Sequence, residues 1–411
     1  MKKIKKYEAL FQPIKIGKVE IKNRIAFAAI MQYGTSLCGD VNEQVKAWYA
    51  ARAKGGTGLI FTGAINSNER AAKASPYRNL NLYDLRHLFG ITELVEVVHA
   101  FDSKIFAQLS PGPGRQGIFP APSAIPYHTP EENFPKRAVA EHKKRGLPFP
   151  FAVYRSNGPI PPVLSLEEIQ WIEDEWANSV ELAKRCNFDG VELHSAHGYL
   201  GFGFLSPRSN KRDDMYGGSL DNRMRFLVNA YTKARKKVGN EFCIGFRISG
   251  DEHMPGGLVH EEIIQICKRM EGMGVDFIHL SDGSFEAANR LFPDEDGGPH
   301  NLEHSESLKR ELKIPVITPS VHDPDLGEEA VKKGRTDMIS LGRGLIADPA
   351  WVNKIAAGKT PTHCIFCLIG CISRIVNFLP VRCIVNSEAG FEQYNPEYKL
   401  SPPFKKNWEI Y

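Results

Sequence analysis

Asp189-Gly-Val-Glu-Leu-His194 is a short, nearly continuous apolar run that ends on a histidine and opens into the loop Ser195-Ala-His197-Gly-Tyr199. The residues before it have a different periodicity. Ser165 and Glu168 stand at capping-box spacing, and Ile169, Ile172, Trp176, Val180 and Ala183 recur on one helical face until Asn187-Phe-Asp-Gly190 breaks the pattern. A helix followed by an apolar strand that ends on polar side chains is one unit of a parallel β/α array, because such strands need cover on both faces.

Seven further runs of the same kind lie along the chain. They fall at 25–30, 58–62, 104–109, 243–248, 275–280, 315–318 and 337–341, each followed by a loop and a helix-compatible stretch. Gly257-Leu-Val-His-Glu-Glu opens one of these helices, and Gly272-Met-Gly274 precedes the sixth strand. Eight units in under 360 residues predict an α/β fold, a (β/α)8 TIM barrel over residues 1–360. Two insertions interrupt the rhythm. Residues 111–163 hold 12 of the chain's 27 prolines and are expected to be irregular; residues 199–222 are rich in Gly, Ser, Asn and Arg. Both follow strands at the C-terminal face, where active sites of this fold are built. Residues 361–411 are too short and polar for a core of their own and are expected to pack on the barrel as a cysteine-rich C-terminal extension.

The totals restrict the function classes. A net charge of +4 over 411 residues is not the clustered basic footprint of a nucleic-acid binder. The basic N-terminus lacks a following apolar segment, and no uninterrupted run approaches 18 apolar residues, so neither a signal peptide nor a membrane span is expected. The expectation is a cytoplasmic enzyme, monomeric or homo-oligomeric, acting on a small molecule.

Polar groups at strand ends indicate the chemistry. Ala29 and Met31 follow strand one, Gly63 strand two, Ser320 strand seven, and Gly342-Arg343 strand eight; strand three delivers Gln108 and strand five Arg247. This set suits a large planar cofactor with a phosphate tail, because the loops after strands seven and eight form the usual phosphate site, glycine allows backbone approach and arginine supplies charge. His194 and His197, three apart beyond strand four, can hold a carbonyl or nitro oxygen as it gains negative charge; a metal is the other use, with no third ligand evident nearby. Tyr199 is protonated at neutral pH and is a candidate proton donor. Lys136-Arg137 and His142-Lys-Lys-Arg145 read first as a solvated loop, with an acidic substrate group such as a CoA phosphate as the alternative.

Four of the eight cysteines, Cys364, Cys367, Cys371 and Cys383, lie within 20 positions. Three close thiolates and one distant one favour an iron–sulfur cluster; structural zinc more often takes two separated Cys-x2-Cys knuckles.

The run VELHSAHGYLGFGFLSPRSNKRDDMYGGSLDNRMRFL (191–227) closely resembles the Old Yellow Enzyme family of NADH:flavin oxidoreductases, and residues 10–31, 251–258 and 341–349 match in register. The resemblance implies FMN: Gly63 and Gln108 against the flavin ring, Arg247 near its pyrimidine edge and ribityl chain, Gly342 and Arg343 on the phosphate. It implies that His194 and His197 grip the substrate's electron-withdrawing oxygen and that Tyr199 donates a proton. The Cys-x2-Cys-x3-Cys-x11-Cys spacing looks like that of the 2,4-dienoyl-CoA reductase branch, where a [4Fe–4S] cluster passes single electrons to FMN. That branch also uses a histidine after strand six, where this chain reads SDGSFEAAN, so its substrate does not carry over. It usually continues into a dinucleotide-binding module. Here Gly112-Pro-Gly-Arg-Gln-Gly117 is followed, after Ile118, by Phe-Pro-Ala-Pro rather than a helix start, so it is rejected as such a fingerprint. The electron source is expected to be a separate reductase, flavodoxin or ferredoxin, or NAD(P)H reducing FMN directly.

The resulting expectation is an ene-reductase acting on an activated alkene, of the kind that serves as an electron sink in an anaerobe. Its rivals are an oxidative amine demethylase like trimethylamine dehydrogenase and an FMN/Fe–S electron-transfer subunit of a larger complex.

Overall fold

The computed structural model describes residues 6–74, 78–117, 119–149, 158–294 and 299–399. Eight parallel strands close into a barrel: β1 (Ile25–Phe27), β2 (Leu59–Phe61), β3 (Lys104–Ser110), β4 (Gly190–Ser195), β5 (Cys243–Ser249), β6 (Ile278–Ser281), β7 (Val316–Pro319) and β8 (Met338–Leu341). Each pairs with its neighbours in sequence order, and β8 closes on β1 through Ile339 opposite Ile25 and Leu341 opposite Phe27. The outer helices are α1 (Glu43–Lys54), α2 (Leu88–His99), α3 (Leu166–Arg185), α4 (Leu220–Val238), α5 (His260–Gly272), α6 (Pro299–Glu311), α7 (Pro324–Lys332) and α8 (Trp351–Ala356). The capping box at α3 forms as its spacing predicts: Glu168 N–H donates to Ser165 Oγ at 3.1 Å and Ser165 N–H to Glu168 Oε2 at 2.8 Å.

Two apolar clusters hold the fold. The larger lies between strands and helices; the smaller fills the barrel. Inside the barrel, Phe61, Phe106 and Phe277 meet with ring centroids 5.4–5.9 Å apart. Gly245 is what β5 needs there, because a Cβ would lie 2.3 Å from the Phe277 ring. A hairpin, Ile14–Ile16 paired with Val19–Ile21, adds Ile16 and Ile21 to this inner cluster. The sequence periodicity did not indicate this hairpin.

The proline-rich insertion after β3 is less irregular than expected, since it contains a helix at Lys136–Lys144. Its residues 150–157 lie outside the described part, as do tail residues 400–411. The basic run sits on this helix. His142 is buried on its inner side and meets Ser373 Oγ at 2.8 Å, whereas Lys143, Lys144 and Arg145 are exposed.

The described residues after 360, up to 399, pack against the barrel. Glu392 forms an ion pair with Arg52 of α1 at 2.6 Å, both side chains essentially fully buried, and Arg52 stacks 3.7 Å above the Trp48 ring. No helix among the described residues is long and apolar enough to cross a membrane.

Candidate active site

A cavity with about 1040 Å³ of space free of protein atoms, part of it open to solvent, lies at the C-terminal ends of the barrel strands, where ligand sites of this fold are built. It gathers most of the residues singled out from the sequence. Ala29, Met31, Gln108, His194, His197, Tyr199, Arg247, Ser320, Gly342 and Arg343 all line it. Gly63 departs from this: it is buried, its N–H donates to Tyr49 Oη at 2.8 Å, and the next residue, Ala64, reaches the cavity in its place. A Cβ on Gly63 would meet Ile30 O at 2.8 Å, so the glycine serves the close approach of two backbones.

His194 at the end of β4 and His197 and Tyr199 just beyond it form one aromatic group. His194 lies 5.2 Å, centroid to centroid, from both His197 and Tyr199. Burial, reinforced by the Arg247 charge, holds the His194 pKa at about 3. The same two causes hold His197 well below its ordinary value. Both rings are therefore neutral at physiological pH and act through N–H and lone pair, not as cations. His197 is fixed in place: its Nε2 meets Ser281 Oγ at 2.5 Å, its N–H donates to Ser249 Oγ at 3.1 Å, and its backbone takes φ +65°.

Beneath the cavity runs a buried polar chain. Gln108 Nε2 donates to Glu192 Oε1 at 2.6 Å, Glu192 Oε2 meets His279 Nδ1 at 2.5 Å, and His279 Nε2 meets Ser340 Oγ at 2.9 Å. Burial alone would raise the Glu192 pKa, but His279 and Arg247 outweigh it and keep the group ionised. Because Glu192 takes the Gln108 amide nitrogen, the Gln108 carbonyl is left for the cavity. His279 was not a site candidate from sequence, since it sits mid-strand in an apolar run.

Two arginines leave buried nitrogens open at the cavity. Arg247 Nε and Arg343 Nη1 are buried without hydrogen-bond partners among the described residues. Such groups cost about 1–3 kcal/mol each when unsatisfied, so they call for a polar ligand. A Cβ on Gly342 would meet only Ile30 and Ala28, at 3.8 and 3.9 Å, so the space in front of this glycine belongs to the cavity. His322, Arg290 and Asn301 also line the wall and carried no sequence signal. Nor was there a signal for Ile372, Ile375 and Val376, which reach the cavity from the extension.

Cys364, Cys367, Cys371 and Cys383 line a second, smaller cavity with about 320 Å³ of empty space, and Arg343 borders both. Phe366 and Leu368 take φ +58° and +57°, curling the loop between the first three thiols. Gly370 lets this loop close on Cys383: a Cβ there would lie 2.6 Å from Arg382 O and 2.8 Å from Cys383 Cα. Backbone N–H groups of Ile369 and Gly370 point at Cys367, and those of Val385 and Asn386 at Cys383. Among the described residues no three His, Cys, Asp or Glu side chains converge as they would on a single metal ion.

Residues 9–361 match the sequence profile of the NADH:flavin oxidoreductase / NADH oxidase family. The chain belongs to this family. An NADH oxidase from Thermoanaerobacter brockii is 35% identical over 407 residues, covering 97% of this chain and 58% of the relative. A cinnamate reductase from Clostridium sporogenes is 36% identical over 421 residues, covering 96% of this chain and 59% of the relative. The chain thus spans under three fifths of the length of these relatives. Among solved structures, a complex of 2-naphthoyl-CoA reductase with 2-naphthoyl-CoA superposes with a TM-score of 0.82 at 26% identity, covering 97% of this chain and 60% of that one.

Proposed function

We propose that this chain is a flavin-dependent ene-reductase unit, with residues 1–360 holding FMN and residues 361–411 forming an extension that holds a [4Fe–4S] cluster. The observation that carries this is the convergence of His194, His197 and Tyr199 with Gln108, Arg247, Gly342 and Arg343 in one cavity. FMN, when bound, supplies a two-electron hydride carrier. Gln108 and Arg247 would hold its ring, Ala29 and Met31 would flank it, and Ser320, Gly342 and Arg343 would take its phosphate.

The chain's own residues activate the alkene. Neutral His194 and His197 would donate hydrogen bonds to the carbonyl oxygen of an enone, enoate or enoyl thioester, drawing charge from the β-carbon. The Tyr199 hydroxyl would give the α-carbon its proton, matching the hydride gained at the β-carbon. Tyr199, Phe285 and Phe292 form a row of ring contacts at 5.8 Å along the cavity, which favours an aryl-conjugated substrate. The relatives named for cinnamate and 2-naphthoyl-CoA agree with that class. The same aromatic row could greet a cationic amine, but the ionic groups on the wall are Arg247, Arg290 and Arg343 against Asp282, which favours anions.

The cluster, when bound, exchanges single electrons. Four thiols on one cavity and backbone N–H groups aimed at sulfur support it, and the spacing of three close thiols and one distant one favours it over zinc. The electron donor is NAD(P)H acting directly, or a separate flavodoxin, ferredoxin or reductase.

Anaerobic purification with an absorbance spectrum, followed by turnover of cinnamates, enones and enoyl-CoAs with NADH or with reduced viologen, tests this reading. Bound flavin, iron and alkene reduction are expected; a protein without flavin would overturn it.

A further inference from the structure

Three histidines and two aspartates gather behind the cavity wall, on the loops after β5 and β6, at the start of α5 and on α6. His253 Nε2 lies 2.8 Å from Asp282 Oδ1, and His253 Nδ1 lies 3.6 Å from Asp251 Oδ1. The His253 N–H donates to the same Asp251 oxygen at 2.6 Å, which holds this residue at φ +54°. The Gly283 N–H donates to Asp251 O at 2.9 Å and ties the two loops together. His304 of α6 puts its Nδ1 3.8 Å from Asp282 and stacks on His260 at 4.2 Å. Gly250 makes room for that ring, since a Cβ would lie 2.4 Å from His304 Nδ1.

Exposure falls steadily along this path. The side chains of Asp251 and His253 are 23% and 20% exposed, whereas Asp282 is 4% exposed and lines the main cavity. A titratable ring thus bridges a wet carboxylate and a dry one, and the dry one faces the site. None of these groups has a part in alkene activation.

We infer that Asp251, His253 and Asp282 form a proton relay from solvent into the cavity, delivering the proton that each reduction consumes. The inference rests on the proposed function, because a flavin reduced by single electrons takes up a proton from solvent before it can deliver hydride. A solvent proton joins His253 Nδ1 beside Asp251. The proton already on Nε2 moves across the 2.8 Å bond to Asp282 Oδ1. The Asp282 carboxyl then releases it towards the reduced flavin that the cavity would hold, and the imidazole recovers its first tautomer by exchange with solvent at its exposed edge. One proton enters, one leaves, and no electrons move along the relay. His253 and Asp251 are positioning residues in this scheme; only Asp282 reaches the site. His304 packs against Asp282 without hydrogen-bonding to it. Burial, opposed by Asp282 and aided by His260, holds its pKa at about 4, so it remains a neutral neighbour.

The test follows proton uptake rather than alkene turnover. Flavin in the anaerobic holoenzyme is reduced by a flash through a deazaflavin photoreductant, with a pH-indicating dye in weak buffer. In the wild type, uptake is expected to keep pace with reduction and to slow at least twofold in D2O. Asp282→Asn and His253→Gln are expected to slow uptake at least tenfold, with millimolar imidazole restoring the His253→Gln rate. His304→Gln is expected to stay within twofold of wild type. Wild-type rates in both relay variants, no rescue by imidazole, or equal slowing in His304→Gln would overturn the relay. Should a variant not fold, the absence of a solvent isotope effect in the wild type would overturn it equally. Normal proton uptake in a protein that reduces no alkene would sink the functional reading and leave the relay standing. A protein without flavin would sink both.

Discussion

Acidification should unfold this protein earlier than its carboxylates alone would dictate, and three buried histidines set the size of the effect. Burial, aided by the Arg247 and Arg343 charges respectively, holds His194 and His322 at about 3; His304 is held at about 4. Below pH 6.5 the unfolded chain binds protons that these rings refuse in the fold, so protonation stabilises the unfolded state. Their penalty is absent above pH 6.5 and grows as pH falls towards 4. At pH 5.0 each ring forfeits about 2 kcal/mol, and the three together about 6 kcal/mol, from about 1.4 kcal/mol per pH unit per group. That is comparable with the whole stability of an ordinary domain. The assay is urea unfolding followed by tryptophan fluorescence between pH 7.5 and 5.0, with free FMN held constant. His304→Gln should make the dependence shallower by about 1.4 kcal/mol per pH unit below pH 6. A flat profile down to pH 5, or an unchanged slope in that variant, would refute the claim that these rings are held neutral.

Tyr199→Phe should lower alkene turnover by about 10²–10⁴-fold while leaving the flavin spectrum unchanged, as loss of a general acid does; steady-state kinetics with an enoate checks it. Glu392→Ala leaves the Arg52 charge buried and unpaired, and should cost about 3–5 kcal/mol in urea unfolding. Gly370→Ala places a Cβ against the Arg382 carbonyl and the Cys383 backbone, and should cut the iron content of the anaerobic protein by at least half with FMN retained; metal analysis beside the flavin absorbance reads both.

The barrel was legible because its strands are buried on both faces, and such strands announce themselves as apolar runs. The N-terminal hairpin was hidden for the opposite reason: Ile14–Ile16 and Val19–Ile21 alternate with Lys and Glu over only three residues each, too short for a period to register. The helix at Lys136–Lys144 was lost among prolines that flank it, Pro135 at its N-cap and Pro148 beyond its end, rather than interrupt it. The site was legible where a side chain follows directly from a strand end, as with Gln108, His194 and Arg247. It was illegible where the contribution depends on packing. Glu192 and His279 look like strand residues and become a charged floor only because β4, β5 and β6 lie side by side with Arg247 between them.

The extension shows most clearly what periodicity cannot carry. Its cysteines stand out by spacing, yet the residues that matter to the barrel come just after Cys371. Ile372, Ile375 and Val376, on a short helix at Ile372–Val376, form part of the main cavity's wall, and Ser373 of that helix holds His142 of the insertion after β3. Arg343, just after β8, borders both cavities, and its guanidinium lies 5.0 Å from the centroid of Phe366, which stands between Cys364 and Cys367. That ring also meets His322, stacked 5.5 Å away on the cavity wall, and the Arg137 guanidinium 5.6 Å from its centroid. A boundary drawn at residue 360 therefore separates the chain but not the site. Removing the extension would strip three apolar side chains from the cavity wall and leave Arg343 and His322 without the ring they pack on. A protein cut there should lose flavin affinity as well as iron, whereas loss of the thiols alone should spare the flavin. That difference separates an extension that carries a cluster from one that also completes the pocket, and the packing favours the second.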